Sequence, residues 1–399
     1  MWAWGLGRLA PLVLAGWLGL DLGLRMLPVE QLGVSPFTAS QRYAGRYAPF
    51  RANARLQVSE QSAGQNALTG NLTPTELRPP LRFSTDELGY RRNPEIPRGA
   101  APQVLMLGGD SFIYGANLSD SETLPAALTR ASGLAVYNGG RSHTQRMTLK
   151  DLDWLLDQLP GRPTTAVMVH LEQHNPTPED LSRSSPITEN LSYVHSLVTN
   201  WWLASPLSNA TRRLFREFAD DRILPNTYRD AIAEYTLPDG RPMLFRGSET
   251  MPSAPGVLSR RTPKKLRDTA EYLLAWRDKL AARGLTTYVL LMPTRHTLYG
   301  PWLEEGESRS RVLQAGENLS LLAEELRANG VPTIDGLTVF RETAEQDLRT
   351  GDLPFYREDN HWTAEGVERM AAVLADTLAS AVPAATTISR LAGDSSSAR

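Results

Sequence analysis

The sequence predicts an α/β fold with a mostly parallel sheet covered on both faces by helices. Five short apolar runs, each bounded by Gly, Pro or polar residues, have the composition of strands buried on both faces. Stretches with helical spacing of apolar residues separate several of these runs, and such alternation is typical of a parallel sheet. The predicted strands are Val104–Leu107, Ala135–Tyr137, Ala166–Leu171, Thr287–Met292 and Val331–Ile334.

Three predicted helices have clear periodicity. In Pro263–Ala282 the apolar residues fall near one face, and Gly284 suits the position that ends the helix. The stretch Leu319–Ala328 ends similarly at Gly330, and a last helix begins at about Ala364. Parallel sheets place their functional sites at the carboxyl ends of the strands, so the loops that follow the strands carry the candidate residues.

The remaining segments define the predicted domain organisation. Residues 29–81 are polar, without a sustained period, and are predicted to form a stalk or extension. Residues 82–382 form the body, which opens with a short hairpin in Arg82–Pro97. Residues 179–262 interrupt the alternation and indicate an inserted, cap-like segment, whereas residues 383–399 are rich in Ala, Ser and Thr and are predicted to be disordered.

Composition excludes several classes of protein. The chain has 399 residues with 42 basic and 44 acidic side chains, a balance that argues against a nucleic-acid partner. The absence of cysteine excludes disulfides, thiolate metal sites, iron–sulfur clusters and thiol nucleophiles. No phosphate-binding loop, dinucleotide-binding glycine pattern or histidine-rich metal spacing is present.

The first 28 residues are predicted to be a targeting segment. Arg8 precedes an apolar run from Leu9 to Leu20, which Asp21 and Arg25 interrupt. Twelve apolar residues match the core of a signal peptide better than a full membrane span, which needs ~20. We favour an uncleaved signal anchor with the body outside the cytoplasm; a cleaved signal and a buried amphipathic helix are the alternatives.

A Gly-Asp-Ser motif directly follows the first predicted strand. Gly108 and Gly109 allow a tight turn, and Ser111 is then presented at the edge of the sheet. A serine at this position gains from backbone N–H groups and from the positive end of a following helix. The alternative is an ordinary Asp/Ser turn or helix cap.

A second motif, Asp359-Asn-His361-Trp362, lies far downstream in the chain. In extended or loop backbone, side chains two residues apart point to the same side, so Asp359 can accept from Nδ1 of His361. Thr363 is a good cap for the last helix, which keeps the motif in a loop. The alternative is a structural histidine.

The two motifs together supply a nucleophile, a base and an orienting acid. His361 removes the proton of Ser111, and Asp359 fixes the tautomer of the imidazole and stabilises the imidazolium. A tetrahedral intermediate also needs donors for its oxyanion. The candidates are the N–H of Ser111, the N–H of Gly139 or Gly140, and the side chain of Asn175.

Further residues near the predicted strand ends are candidate substrate-binding groups. Arg295 and His296 follow the fourth strand and could bind a sugar or a carboxylate, or they could be a surface Arg and a turn His. Trp362 could stack on a sugar ring or pack the loop. The candidates are Asp110, Arg141, Arg295, His296 and Trp362.

These motifs resemble those of the SGNH (GDSL-type) hydrolase superfamily, and more narrowly the bacterial alginate O-acetylation proteins with the Asp-x-His-Trp motif. The resemblance covers about residues 82–382, with a gap at 179–262. It is carried by Gly109–Ser111, Val136–Gly140, Met292–Tyr299, Asp359–Trp362 with Gly366, and the Gly89–Arg91 turn.

The resemblance implies a flavodoxin-like three-layer α/β/α sandwich, a serine acyl-enzyme and no metal or organic cofactor. It also implies an exported or membrane-anchored protein that acts on acyl esters of carbohydrate. Two departures are visible: the third superfamily block, normally Gly-x-Asn-Asp, is replaced by the segment that ends in His174 and Asn175, and the usual Asp-x-x-His is Asp-x-His.

The expected function is therefore a serine-dependent O-acyltransferase or esterase acting on acetyl esters of a cell-envelope or secreted polysaccharide. We expect a periplasmic protein, held at the inner membrane by its amino-terminal segment and able to join a membrane acetylation complex; secretion after cleavage is the alternative. Two other functions remain open: a general exported esterase or lipase, and a non-catalytic carbohydrate-binding component of an acetylation complex.

Overall fold

The computed structural model describes the greater part of the chain. The described residues are 2–26, 47–58, 62–63, 76–78, 80–141, 147–174, 176–178, 181, 194, 198, 205, 207, 211, 232–246 and 263–381. The predicted disordered tail and most of the predicted stalk and insertion lie outside these residues.

A parallel sheet of five strands forms the centre of the body, which confirms the predicted α/β class. Taken in chain order as first to fifth, its strands lie in the order 2-1-3-4-5, the arrangement of flavodoxin-like folds. All four pairings are parallel. The strands are β5 (Val104–Gly108), β6 (Val136–Asn138), β7 (Thr165–Leu171), β10 (Thr286–Met292) and β11 (Thr333–Asp335).

Six further strands lie in the described part of the chain: β1 (Arg55–Val58), β2 (Ser62–Ala63), β3 (Leu77–Arg78), β4 (Leu81–Ser84), β8 (Ile232–Thr236) and β9 (Pro242–Arg246). They form three small antiparallel pairs, β1 with β4, β2 with β3, and β8 with β9.

Helices flank the central sheet and enclose one continuous apolar core. The residues of β5 from Val104 to Leu107 are almost entirely buried, because helices cover the sheet and leave no strand face for water. The helices are α1 (Trp2–Leu24), α2 (Asp110–Tyr114), α3 (Leu124–Ser132), α4 (Leu149–Gln158), α5 (Pro263–Ala281), α6 (Arg295–Leu303), α7 (Gly306–Ala328), α8 (Gly336–Thr350) and α9 (Ala364–Ala381).

Helix ends agree best with the sequence where a capping residue marks them. Helix α5 begins and ends within one residue of its prediction, and α9 begins at Ala364 as expected. Helix α7 instead begins at Gly306, 13 residues before the predicted start at Leu319. Its first turns carry mostly polar side chains, so apolar periodicity alone does not reveal them.

The predicted hairpin contains an antiparallel bridge between Thr85 and Arg91, and its first strand also pairs with a strand from the preceding segment. Strand β4 pairs antiparallel with β1, which lies in the segment expected to be a stalk. Phe50 from that segment is fully buried and packs edge-on against Phe83 and Tyr114. The apolar area of these rings accounts for the packing of residues 47–58 against the body.

Helix α1 carries an ion pair and a largely apolar surface. Asp21 pairs with Arg25 at 2.5 Å and accepts a hydrogen bond from Ser205 of the predicted insertion. Large apolar side chains of α1 and the residues after it are exposed, among them Leu12, Val13, Leu14, Leu20, Leu22 and Met26. Within the described residues, no helix has the combined length and apolarity that crossing a bilayer requires.

A buried carboxyl group lies under the turn that follows β4. Burial raises the pKa of Asp86 to about 6, although hydrogen bonds from the Tyr137 hydroxyl at 2.6 Å and the Tyr90 N–H at 2.9 Å act in the opposite direction. The folded protein therefore binds this proton more tightly than the unfolded chain, in which the carboxyl has its ordinary pKa of 3.8.

This difference predicts a pH-dependent stability. The contribution of the Asp86 carboxyl to the free energy of unfolding is fully present below the unfolded pKa and is lost as the pH rises through the folded pKa, by up to about 3 kcal/mol. We expect Asp86→Asn to remove this dependence, so that the variant gains stability relative to the wild type as the pH rises from about 4 to about 7. Denaturant unfolding across this range measures the effect; parallel pH profiles of the two proteins would contradict it.

Candidate active site

The serine motif forms a tight turn between β5 and the short helix α2. Gly108 and Gly109 have φ of 75° and 61°, in the left-handed region that favours glycine. A Cβ on Gly108 would lie 2.5 Å from the carbonyl oxygen of Val169, and one on Gly109 would lie 2.5 Å from Cγ1 of Ile113. The two glycines therefore let the chain turn against the neighbouring strand, and Ser111 follows at the carboxyl edge of the sheet.

Arg91 supports this turn through hydrogen bonds to the backbone that follows it. Its guanidinium is almost fully buried and donates to the carbonyl oxygens of Tyr114, Gly115 and Leu118, at 3.2, 3.2 and 2.7 Å. It also pairs with Asp120 at 2.6 Å. Burial lowers the pKa of Arg91, and the charge of Asp120 opposes that shift. The arginine of the Gly89–Arg91 turn thus fixes the segment that follows Ser111.

Asp359 and His361 form the predicted acid–imidazole pair. Oδ1 of Asp359 hydrogen-bonds Nδ1 of His361 and also accepts from the backbone N–H of His361 at 3.0 Å. Asp359 is almost fully buried, whereas His361 is partly exposed. The two residues lie in the loop before α9, where side chains two apart point to the same side. The contact at Nδ1 leaves Nε2 as the atom that can exchange a proton with substrate or serine.

The loop that carries His361 packs directly on the helix that carries Ser111. The ring of Phe112, the residue after the serine, lies 5.6 Å from the His361 ring and 5.2 Å from the Trp362 ring, between centroids. The hydroxyl of Tyr356 donates to the carbonyl oxygen of Asn117 at 3.2 Å. The tertiary structure thus brings together two motifs that are about 250 residues apart in the chain.

Asn117 is a residue of this site that sequence reasoning missed. Its side-chain nitrogen donates to Oδ1 of Asp359 at 3.4 Å and lies 3.2 Å from Nδ1 of His361. Its φ of 64° is left-handed, a conformation that Asn adopts more readily than most residues. The Gly115-Ala-Asn117 sequence indicates a turn, but no sequence pattern indicates its partner 242 residues later.

Tyr114 is a second residue that the motifs did not reveal. It is buried, and burial raises the pKa of its hydroxyl well above the usual range. The charges of Asp110 and Asp359 raise it further, whereas a hydrogen bond with the side chain of Ser111 acts in the opposite direction. A neutral, buried phenol thus lies near the candidate nucleophile.

The backbone donors proposed for the oxyanion differ in availability. The N–H of Gly139 donates to the carbonyl oxygen of Met106 at 2.9 Å, and that of Gly140 donates to Oδ1 of Asn138 at 3.0 Å. Both donors are therefore engaged within the protein, which does not fit the expected role. Asn175 lies outside the described residues, and Ser111 keeps its predicted position at the start of α2.

The two glycines instead serve close packing. A Cβ on Gly139 would lie 2.6 Å from the carbonyl oxygen of Met106, and one on Gly140 would lie 2.5 Å from the backbone nitrogen of Tyr114. The loop after β6 can approach the serine helix only without side chains at these positions.

Arg295 lies beside the site but contacts the protein rather than open space. Its guanidinium is buried and donates to the carbonyl oxygens of Tyr356 at 2.8 Å, Arg357 at 3.0 Å and Leu244 at 2.6 Å. It also donates to Oδ1 of Asn360 at 3.1 Å. These contacts hold the Asp359–His361 loop against β9 of the predicted insertion, in place of the expected contact with a sugar or carboxylate.

Two other residues that were predicted to bind substrate, His296 and Trp362, also lie in the interior of the protein. His296 is buried, with Nε2 2.9 Å from Oε1 of Glu304 and its ring 5.6 Å from that of Phe245, between centroids. Trp362 is fully buried against Phe112, so it offers no ring face to a sugar.

Asp110 and Arg141 line a cleft beside the residues that lead into the serine. Oδ2 of Asp110 lies 3.2 Å from Nε2 of His174, and Arg141 pairs with Asp151 at 2.9 Å. The structure thus divides the five predicted substrate residues into two at the cleft and three in the interior. Among the described side chains, no group of three or more His, Asp or Glu residues is arranged to hold a metal ion.

The position of Asn117 predicts a modest catalytic defect without a folding defect. Asn117→Gly keeps the left-handed backbone but removes the hydrogen bond to Asp359, a loss of about 1 kcal/mol, which corresponds to about a fivefold slower reaction. We expect the variant to lose less than about 1 kcal/mol of stability. Asn117→Ala, with the same deletion but a strained backbone, should add a stability loss. Acetyl-ester turnover and thermal unfolding measure the two effects; unchanged turnover in Asn117→Gly would exclude the role.

Comparison with known proteins locates the family relationship in the carboxyl-terminal part. Residues 244–393 match the family model described as "SGNH hydrolase-like domain, acetyltransferase AlgX". The match contains Asp359, His361 and Trp362, whereas Ser111 lies outside it. No curated protein matches the sequence.

One solved structure with a detectable likeness is titled a putative lipolytic protein of the G-D-S-L family from Desulfitobacterium hafniense DCB-2. Its identity to this chain is 14%, over 69% of this chain and 98% of that one, with a TM-score of 0.31, a likeness too weak to support any conclusion. The family match supports a function of the acetyltransferase or esterase type, and it confirms the resemblance inferred from the motifs. Residues 244–393 of the chain are thus similar to the SGNH hydrolase-like domain of the acetyltransferase AlgX.

Proposed function

We propose that the protein is a serine O-acyltransferase or esterase that acts on acetyl esters of a cell-envelope or secreted polysaccharide. The observation that carries the proposal is the contact between Asp359 and His361 in a loop that packs against the helix of Ser111. A carboxylate at Nδ1, a partly exposed imidazole and a serine hydroxyl are the groups that such catalysis requires.

In the first step, Ser111 Oγ attacks the carbonyl carbon of the donor ester while Nε2 of His361 takes the serine proton. The C–O bond to the donor alcohol then breaks, and the leaving oxygen receives that proton from His361. Asp359 stabilises the imidazolium that exists between the two events. The products of the step are acetyl-Ser111 and the free donor alcohol.

In the second step, an acceptor O–H attacks the acetyl carbon and gives its proton to His361. The bond to Ser111 Oγ breaks, and Oγ recovers the proton. Water as the acceptor gives hydrolysis, and a sugar hydroxyl gives transfer. We favour transfer because of the acetyltransferase family match.

The oxyanion of both steps needs donors that are already in place. The N–H of Ser111 at the start of α2 and the side chain of Asn175 remain the proposed donors. The buried hydroxyl of Tyr114 adds a neutral donor beside them that burial keeps protonated.

The test is the detection of the acyl-enzyme. The full chain is incubated with p-nitrophenyl acetate and examined by intact mass and peptide mapping. The expected result is one acetyl group on Ser111, absent in Ser111→Ala. Folded wild-type protein with no adduct and no turnover would overturn the proposal in favour of a non-catalytic carbohydrate-binding role, and turnover that rises with acyl-chain length would replace it with a general esterase or lipase.

We also propose that the protein is periplasmic and attached to the inner membrane by its first 28 residues, where it can join a membrane acetylation complex. The exposed apolar side chains of α1 support attachment, since such a patch is costly in water. In a flotation assay with phospholipid vesicles, we expect the full chain to float with the vesicles. The double variant Leu12→Ser/Leu20→Ser should remain in the bottom fraction of the gradient.

Leu321→Ser, which changes an equally exposed leucine on α7, is the matched control and should float like the wild type. Equal flotation of all three proteins, or of none, would refute attachment through α1.

A further inference from the structure

We propose that the cleft next to Ser111 is the acceptor subsite of the transfer reaction, and that the Asp110–His174 pair binds the reacting hydroxyl of a carbohydrate there. This inference rests on the proposed acyl-enzyme at Ser111. It names the side chains that make a sugar hydroxyl, rather than water, the acceptor of the acetyl group.

The cleft begins at the residues that lead into the serine. Its volume is about 110 Å³, and it opens to solvent. A ligand larger than an acetyl group can therefore reach its lining residues from outside. Its lining includes Gly109, Asp110, Arg141, His174, Tyr272 and Trp276.

Asp110 is held in an unusual conformation at the start of α2. Its φ of 41° is left-handed, which is uncommon for a residue with a side chain and is found disproportionately at functional sites. In this conformation its Oδ2 lies 3.2 Å from Nε2 of His174. Both side chains are about one-quarter exposed and line the cleft, so a ligand can reach them.

The cleft is lined by the residues that precede Ser111, whereas His361 contacts Phe112, the residue that follows it. An acceptor hydroxyl held at Asp110 would therefore lie beside acetyl-Ser111, at the short helix on which the His361 loop packs. A carboxylate and an imidazole can each hydrogen-bond one hydroxyl, which is the requirement for orienting a sugar O–H.

The rest of the lining suits a carbohydrate. Tyr272 of α5 is partly exposed and supplies aromatic surface on which the apolar face of a sugar ring can pack, whereas Trp276 beside it is buried. Arg141 is largely buried and pairs with Asp151, so it adds a fixed donor without an uncompensated charge. A purely apolar acyl chain would remove water from Asp110, His174 and Arg141 without offering them a hydrogen bond in return, which is costly.

The chemistry balances with His361 as the only proton acceptor. The acceptor oxygen bonds to the acetyl carbon, the acceptor proton moves to Nε2 of His361, and the bond to Ser111 Oγ breaks as Oγ takes that proton. His174 and Asp110 take no part in the proton transfer and act by holding the acceptor hydroxyl.

The test is the partition of acetyl-Ser111 between sugar and water. The full chain receives p-nitrophenyl acetate with a methyl hexopyranoside, and acetylated sugar and acetate are measured together. For His174→Ala and Asp110→Asn we expect a transfer-to-hydrolysis ratio at least tenfold lower than that of the wild type, measured on the acetyl-Ser111 that each variant forms. Asp153→Asn, which changes an acid paired with Arg283 away from the cleft, is the matched control and should keep the wild-type ratio.

Several outcomes would overturn the inference. An unchanged ratio in both cleft variants, or no transfer by a wild type that forms acetyl-Ser111, would remove the acceptor role and leave the acyl-enzyme intact. Preferential transfer to 1-octanol would exclude a carbohydrate as the ligand. Absence of acetyl-Ser111 in the wild type would instead refute the proposed function itself, together with the inference that rests on it.

Discussion

Replacement of His361 by glutamine is expected to lower the rate of acetyl-Ser111 formation by at least about 10³-fold, because the serine hydroxyl then has no base at its side. The fold should persist, since the imidazole is partly exposed and the loop is held by other contacts. Single-turnover kinetics with p-nitrophenyl acetate and thermal unfolding measure the two quantities.

Asp359→Asn should lower the rate by a similar factor. The amide offers Nδ1 a donor where the imidazole needs an acceptor, so it selects the wrong tautomer. His296→Gln is the matched control, because His296 is a buried histidine bonded to Glu304 rather than a part of the site. We expect it to lower stability but to change the rate per folded molecule by less than about threefold. A normal rate in His361→Gln would refute the base assignment.

Arg295→Met is expected to have the largest effect on stability. The change leaves the carbonyl oxygens of Leu244, Tyr356 and Arg357 without the donor that holds them in the interior. Loss of a buried, multiply bonded charged group costs about 3–5 kcal/mol. The loop of Asp359 and His361 would lose its support, so activity should fall together with stability.

The same variants distinguish this structural role from the substrate contact suggested by the sequence. Arg295→Lys keeps the charge but cannot reach four acceptors, and it should fall between the wild type and Arg295→Met in unfolding free energy. A substrate-binding arginine would instead raise KM in a protein of unchanged stability. That result in Arg295→Lys would restore the original interpretation.

The motifs predicted the local geometry of the candidate residues better than they predicted what packs around those residues. Gly-Asp-Ser and Asp-x-His depend on neighbours within two residues, so the turn at Gly108 and Gly109 and the Asp359–His361 contact follow from local geometry. Gly139 and Gly140 were predicted as oxyanion donors on the same basis. Their N–H groups are engaged elsewhere because the loop after β6 packs tightly on α2, a constraint that no local pattern contains.

Contacts between residues far apart in the chain explain why sequence reasoning missed Asn117 and predicted a different role for Arg295. Asn117 meets Asp359, and Arg295 meets the loop of Tyr356 and Arg357, only after the strands have assembled. A single sequence records the residue types at these positions but not which of them become neighbours.

The sequence by itself determined the α/β class, the five core strands and the two motifs, because alternation of apolar runs and spacing within a motif are local properties. Only the tertiary structure decided the 2-1-3-4-5 strand order, the packing of the His361 loop on the Ser111 helix, and the placement of Asp110 and His174 in one cleft. The physical reason is that pairing between distant strands and burial of charged side chains depend on the packing of the whole core. Residues far apart in the chain must fit that packing together.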